Sequence, residues 1–328
     1  MMIDIKKYEK DFLIRLLSDM LKIRRFEEKA GQMYGLRKIG GFCHLYNGQE
    51  AVAVGAITAV DLSKDYVLTA YRDHAHALVC GMSPDSIMAE LYGKITGCSR
   101  GKGGSMHMFD VKNHMYGGNG IVGSHIPVAT GVAFASKYRN DNGVTLCFFG
   151  DGAIHQGAFH ESLNMARIWD LSIIYICENN HFGMGTDFKR VSSVDQFEKM
   201  APAYGLKGMS VDGMNVLEVF EATREAYESA ITGNPVLMDI QTYRYKGHSM
   251  SDPATYRTRE ELDRYKLQDP ILILQKYLQD EKVVTEVEYR AIDQMAKDMA
   301  QAAVDFADRS EEPALHTLYE DILAETHS

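Results

Sequence analysis

Residues 144–180 read VTLCFFGDGAIHQGAFHESLNMARIWDLSIIYICENN. Val144–Phe149 (VTLCFF) is an apolar run of strand length, closed by Gly150-Asp151-Gly152. Phe159–Ile168 reads as a helix, and Ser172–Cys177 (SIIYIC) is a second apolar run, closed by Glu178-Asn179-Asn180. A strand with no polar side must be covered by protein on both faces. Downstream, Asn215–Ile231 predicts another helix and Val236–Ile240 a third buried strand. Strand, helix, strand, helix, strand predicts an α/β fold, a mostly parallel sheet with helices on both faces. In such a sheet the functional groups gather at the carboxyl ends of the strands.

Outward from this centre the chain is less regular. Lys7–Ala30 carries Leu13, Leu16, Leu17, Met20 and Ile23 at helical spacing, which predicts an amphipathic N-terminal helix. Between Gly35 and Gly131 glycine is dense, with pairs at 40–41, 103–104 and 117–118, so backbone segments are expected to pass close to one another or to a ligand. From Arg257 onward the pattern is mostly helical, with a charged amphipathic stretch around Glu286–Phe306. No repeat, low-complexity tract or linker interrupts it, and a single domain is expected.

Composition excludes several classes. The 328 residues are 45% hydrophobic and 24% charged, ordinary values for a globular chain. No run approaches the ~18 apolar residues of a membrane span. Met1–Lys10 (MMIDIKKYEK) lacks the apolar core of a secretory signal and does not resemble a transit peptide. Forty-five acidic against 35 basic residues give −10, which disfavours nucleic acid as a partner. Cys43, Cys80, Cys98, Cys147 and Cys177 form no CxxC pair and read as reduced thiols. A cytoplasmic location is expected.

The chemistry centres on Gly150-Asp151-Gly152 and, after 26 intervening residues, Asn179-Asn180. Both lie just beyond apolar strands, so both tips should meet at one sheet edge. An Asp carboxylate and an Asn amide oxygen are hard oxygen ligands of the kind Mg²⁺ takes, alongside phosphate oxygens and water. The glycines would let backbone N–H groups approach a diphosphate. Either half alone reads as an ordinary strand-end turn; the pair favours a metal–diphosphate site.

That spacing is similar to the signature of thiamin diphosphate enzymes. More widely, the chain resembles the α subunits of the decarboxylating first component of 2-oxo acid dehydrogenase complexes, nearest to the pyruvate dehydrogenase branch. The resemblance rests on GGFCHLYNGQEAVAVG (40–55), TAYRDHAHAL (69–78), GKGGSMHMFD (101–110), YGGNGIVG (116–123), GDGAIHQGAFHESLNMA (150–166), ENNHFGMGT (178–186) and TYRYKGHSMSDPATYRTREE (242–261). It implies one thiamin diphosphate-binding domain over 1–328, with an N-terminal helical extension (1–39), a cofactor-binding core (40–261) and a helical C-terminal region (262–328).

Carried over by position, the resemblance implies that Asp151, Asn180 and the carbonyl of Phe182 hold Mg²⁺. Gly152 and Ala153 would hold the diphosphate through their backbone, and Tyr71 and Arg72 would contact its oxygens, a task suited to a guanidinium. Phe42, Gly120 and Val122 would line the cofactor, Val122 close to its aminopyrimidine. His74 and His248 would stand near the diphosphate and the reacting carbon, with His248 favoured for moving a proton or stabilising charge. The implied activity is oxidative decarboxylation of pyruvate with reductive acetylation of lipoyl groups on a dihydrolipoyl acyltransferase. The pyrimidine-binding module and its glutamate are not recognisable in this chain, so a β subunit is implied, in a heterotetramer of two α and two β chains.

Alternatives stay open at this level. Acetoin or a branched-chain 2-oxo acid would keep the mechanism, although GHSMSDP (247–253) favours pyruvate. A dinucleotide-binding assembly module would use Gly118-Asn-Gly120-Ile-Val-Gly123, but a dinucleotide fingerprint needs a strand before it, and Asn113–Tyr116 is not a convincing one. Gly101-Lys102-Gly103-Gly104-Ser105 lacks P-loop spacing and reads as a packed loop. His44, His107, His125, His155 and His160 receive no chemical role, and Ser249 and Ser251 read as polar loop groups.

Overall fold

The structure, a computed structural model, describes residues 5–322. A long helix α1 (Lys10–Gly35) and the short α2 (Glu50–Thr58) lead into strand β1 (Tyr66–Ala70). Helices α3 (His74–Val79) and α4 (Pro84–Leu91) precede β2 (Met115–Asn119), α5 (His125–Arg139) and β3 (Thr145–Gly150). Then come α6 (Gly157–Ile168), β4 (Ile173–Asn179), the small hairpin β5 (Phe182–Gly183) and β6 (Thr186–Asp187), and β7 (Lys207–Asp212). The chain closes with α7 (Val216–Ala230), β8 (Val236–Gln241), α8 (Arg259–Lys266), α9 (Pro270–Asp280) and α10 (Glu286–Arg309). The main sheet runs β2-β1-β3-β4-β8-β7 and every pair in it is parallel. No helix among the described residues is long and apolar enough to cross a membrane.

The alternation of the strands explains why they read as unbroken apolar runs. Leu146, Phe148, Ile174 and Ile176 pack with residues of α2, α4, α7 and α10 on one face. Cys147, Phe149, Tyr175 and Cys177 pack with α5 and α6 on the other. β3 and β4 are thus buried on both sides, as the predicted parallel sheet requires. The N-terminal helix starts at Lys10 and runs to Gly35, later at both ends than its apolar spacing suggested.

Besides the short hairpin strands β5 and β6, three strands of the main sheet escaped the sequence reading. The edge strand β7 (KGMSVD) is mostly exposed, so it carries no apolar run. β1 (YVLTA) lies in the glycine-dense region and pairs with β3. The third is a correction: a strand, β2, does precede Gly118, paired as Val67↔Met115, Thr69↔Gly118 and Ala70↔Asn119. Its MYGGN sequence gives no side-chain periodicity, and the pairing is carried by backbone alone. Gly118 nevertheless serves the chain's own packing. A Cβ there would stand 1.9 Å from Asp73 Oδ2 and 2.6 Å from the Met106 carbonyl.

Part of the glycine-dense region is organised around one buried acid. Glu90 Oε1 accepts the N–H groups of Gly103 (2.7 Å) and Gly104 (3.0 Å), and Oε2 those of Ser99 and Gly101 (2.9 Å each). A glutamine would turn an NH₂ group toward two of these donors. Glu90→Gln is therefore expected to destabilise the chain by about 3 kcal/mol, through buried donors left unpaired. Urea unfolding checks this, and a loss under about 0.5 kcal/mol would reject the role.

Candidate active site

The carboxyl ends of β1, β3, β4 and β8 converge on one edge of the sheet. The register Gly150↔Glu178 sets the ends of β3 and β4 side by side, which brings the GDG and NN tips together as the spacing predicts. Asp151 is only 2% exposed, and its Oδ2 has no hydrogen-bond partner. Burial pushes its carboxyl up to about 7, against the pull of Arg244. Asn180 Nδ2 donates to Gln49 Oε1 at 3.0 Å, which orients its amide. Arg244 Nη1 then lies 3.4 Å from Asn180 Oδ1 and 3.3 Å from the Phe182 carbonyl.

This arrangement fits a hard cation. One carboxylate oxygen lacks a partner at the end of β3, and past the adjoining end of β4 one amide oxygen and one carbonyl oxygen converge on a guanidinium. Among the described residues no three His, Cys, Asp or Glu side chains group at metal-binding spacing. A single carboxylate with neutral oxygens is the donor set of Mg²⁺ beside a phosphate. Gly152 adds room: a Cβ there would meet only Gly183 Cα, at 3.7 Å, so nothing in this chain demands glycine at that point. Ala153 follows, buried in the turn.

The opposite wall comes from the end of β1 and two loops. Arg72 is buried and donates from Nη1 to the Leu45 carbonyl (2.7 Å) and from Nη2 to the His248 carbonyl (2.8 Å). Burial, and then the charge of Arg244, lower its pKa to about 10. Tyr71, His44 and His248 form a ring cluster, with centroids 4.8 Å apart for His44–Tyr71, 5.1 Å for His44–His248 and 5.4 Å for Tyr71–His248. Nδ1 of both histidines lacks a partner.

Burial first, and Arg72 next, push His248 down to about 4 and His44 to about 2. Both folded values lie below the ordinary 6.5. The imidazoles are therefore neutral at pH 7, and the unprotonated form is lost only as pH falls through the lowered value. In histidine-labelled protein free of added cofactor, the His248 ring signals should stay in the neutral form down to about pH 5. A midpoint near 6.5 would contradict this geometry.

His74, which the resemblance sets near the diphosphate and the reacting carbon, has both ring nitrogens engaged within the chain. It is fully buried, with Nδ1 3.0 Å from Glu27 Oε2 and Nε2 2.8 Å from Ser105 Oγ. Burial lowers its pKa, but the charge and hydrogen bond of Glu27 outweigh that and leave it raised. With both ring nitrogens engaged, His74 braces the Ser105 turn and offers no free nitrogen to a substrate. Phe42 (62% exposed) and Val122 are exposed and Gly120 is half-buried.

Besides His44, two participants escaped the sequence reading. Arg244 lies just past β8, the same strand-end position that singled out Asp151 and Asn180, and that rule could have found it. Gln49 gave no such signal, because only the fold carries it to Asn180. For Gln49 the gap is long-range contact.

The sequence model described as "Dehydrogenase E1 component" matches residues 18–316. A Rickettsia felis protein named pyruvate dehydrogenase E1 component subunit alpha is 46% identical over 320 residues, covering 97% of this chain and 98% of that protein. A Rhizobium meliloti protein of the same name is 48% identical over 321 residues, covering 97% and 92%. A chloroplastic Arabidopsis thaliana counterpart, subunit alpha-3, is 44% identical over 319 residues, covering 95% and 74%.

Proposed function

The chain belongs to the dehydrogenase E1 component family, and from that premise we propose that it works as the α-type subunit of a pyruvate-decarboxylating first component. It is an oxidoreductase that uses thiamin diphosphate with Mg²⁺. On this reading it decarboxylates pyruvate and delivers the acetyl group to lipoyl groups of a dihydrolipoyl acyltransferase. The observation that carries it is the partnerless, buried Asp151 oxygen just past β3, next to the adjoining end of β4, beyond which Arg244 brings Asn180 Oδ1 and the Phe182 carbonyl together.

Thiamin diphosphate, when bound, supplies the carbon nucleophile and electron sink that a 2-oxo acid needs in order to lose CO₂. The chain's own residues bind and orient. Asp151, Asn180 and the Phe182 carbonyl hold the metal, and the Gly152–Ala153 backbone, Tyr71 and Arg72 hold the diphosphate. Arg72 anchors the His248 loop through the His248 carbonyl. The neutral His248 ring is free at Nδ1 to hold or move a proton near the substrate. Phe42, Gly120 and Val122 form the rim on which the rest of the cofactor rests.

A β-type subunit completes the site in a heterotetramer of two α and two β chains. Supporting this, Ile121, Val122, Val128, Phe134, Ile168 and Trp169 are exposed before and along α5 and α6. Such apolar faces mark interaction surfaces. A cytoplasmic location belongs to the same proposal. The test is dye-linked oxidation by this chain assembled with its β-type partner, comparing pyruvate, acetoin and branched-chain 2-oxo acids. Turnover that requires thiamin diphosphate and Mg²⁺ and prefers pyruvate is expected; preference for another substrate overturns the assignment.

A further inference from the structure

The segment after α10 lies across the loop 97–104, which Glu90 holds from within. Arg100 Nη2 donates to Glu320 Oε2 at 2.7 Å and Nη1 to Asp321 Oδ2 at 3.0 Å. Lys102 Nζ donates to the Glu320 carbonyl and to Asp321 Oδ2, both at 2.9 Å. Further up, Lys94 pairs with Glu312, and the Ile95 N–H donates to the Glu311 carbonyl at 3.1 Å. The loop is thus gripped from both sides.

Its own backbone does not favour the observed path. Arg100 has φ +56°, a left-handed conformation that costs energy for any residue with a side chain. The loop then runs straight into Ser105, whose Oγ lies 2.8 Å from His74 Nε2 and accepts the His44 N–H at 3.1 Å. His44 is the centre of the ring cluster with Tyr71 and His248.

We infer that residues 311–322 form an electrostatic strap that holds the 97–105 loop in place, and that Arg100 and Lys102 thereby act as positioning residues for Ser105 and His44. The effect on cofactor rests on the proposed function; the grip on the loop does not. Arg100 is 45% exposed and Asp321 59%. Exposed pairs are individually weak and screened by salt, so the strap should loosen as ionic strength rises.

The experiment uses the assembled enzyme in three forms: unaltered, Arg100→Gln/Lys102→Gln, and a charge swap combining Arg100→Glu/Lys102→Glu with Glu320→Arg/Asp321→Arg. Hydrogen exchange is followed at the amides of 99–104 and at the His44 N–H, in low and high salt and without added cofactor. In low salt the neutralised form should exchange about tenfold faster at these amides, as local opening becomes easier. The swapped form should recover most of that protection. High salt should bring the unaltered enzyme toward the neutralised one.

With cofactor, the neutralised form should need about fivefold more thiamin diphosphate for half-saturation at nearly unchanged kcat, because fewer molecules hold the binding-competent loop. Unchanged exchange, or no recovery on charge swap, overturns the strap. Faster loop exchange with an unaltered His44 N–H overturns its positioning role. If the unaltered enzyme shows no pyruvate turnover, the functional proposal fails alone and the exchange result still decides the strap.

Discussion

Asp151→Ala abolishes Mg²⁺-dependent binding of thiamin diphosphate while leaving the chain folded. The side chain is buried and one of its oxygens has no partner. In the unliganded chain it is a cost rather than a stabilising contact, and burial holds its carboxyl near 7. Removing it should leave the unfolding temperature unchanged or slightly higher. Mg²⁺ instead loses the one carboxylate of its protein donor set, since Asn180 and Phe182 supply only neutral oxygens. Cofactor affinity in the presence of Mg²⁺ should fall at least about 100-fold, in line with the outer range for lost metal-site groups. Titration calorimetry on the assembled enzyme measures it, and affinity within about threefold of the unaltered enzyme would sink the metal assignment. The combination of lost binding and retained stability separates this from a folding defect.

His248→Ala retains cofactor binding but loses turnover by about 10²–10⁴-fold, the range expected for a positioned proton-transfer group. The structure makes this a clean substitution. The His248 carbonyl, which anchors Arg72, belongs to the backbone and survives the change. The His248 N–H likewise keeps its bond to Asp252 Oδ2 at 2.6 Å. The ring Nδ1 has no partner in the chain, so its removal leaves no other group unpaired. Single-turnover kinetics with saturating cofactor should show the loss in the chemical steps. A near-normal rate would remove His248 from the mechanism. His74→Ala should behave in the opposite way: both His74 nitrogens brace other groups, so stability and cofactor binding fall together.

The sequence alone determined the doubly covered parallel sheet, because a strand buried on both faces must be apolar along its whole length, as VTLCFF and SIIYIC are. It also placed Asp151 and Asn180 at one edge, since each closes such a run and parallel strands end on the same side. It missed β2, whose glycines pair through backbone and show no pattern. It likewise could not show what engages the His74 ring, because Glu27 and Ser105 lie far from it along the chain. The contacts of Arg244 with Asn180 and the Phe182 carbonyl, the Gln49 that orients Asn180 and the acidic segment across the 97–104 loop were decided only by tertiary structure. Local pattern records which side of an element is buried; which distant charge or hydrogen-bonding group meets it is a property of the packed chain.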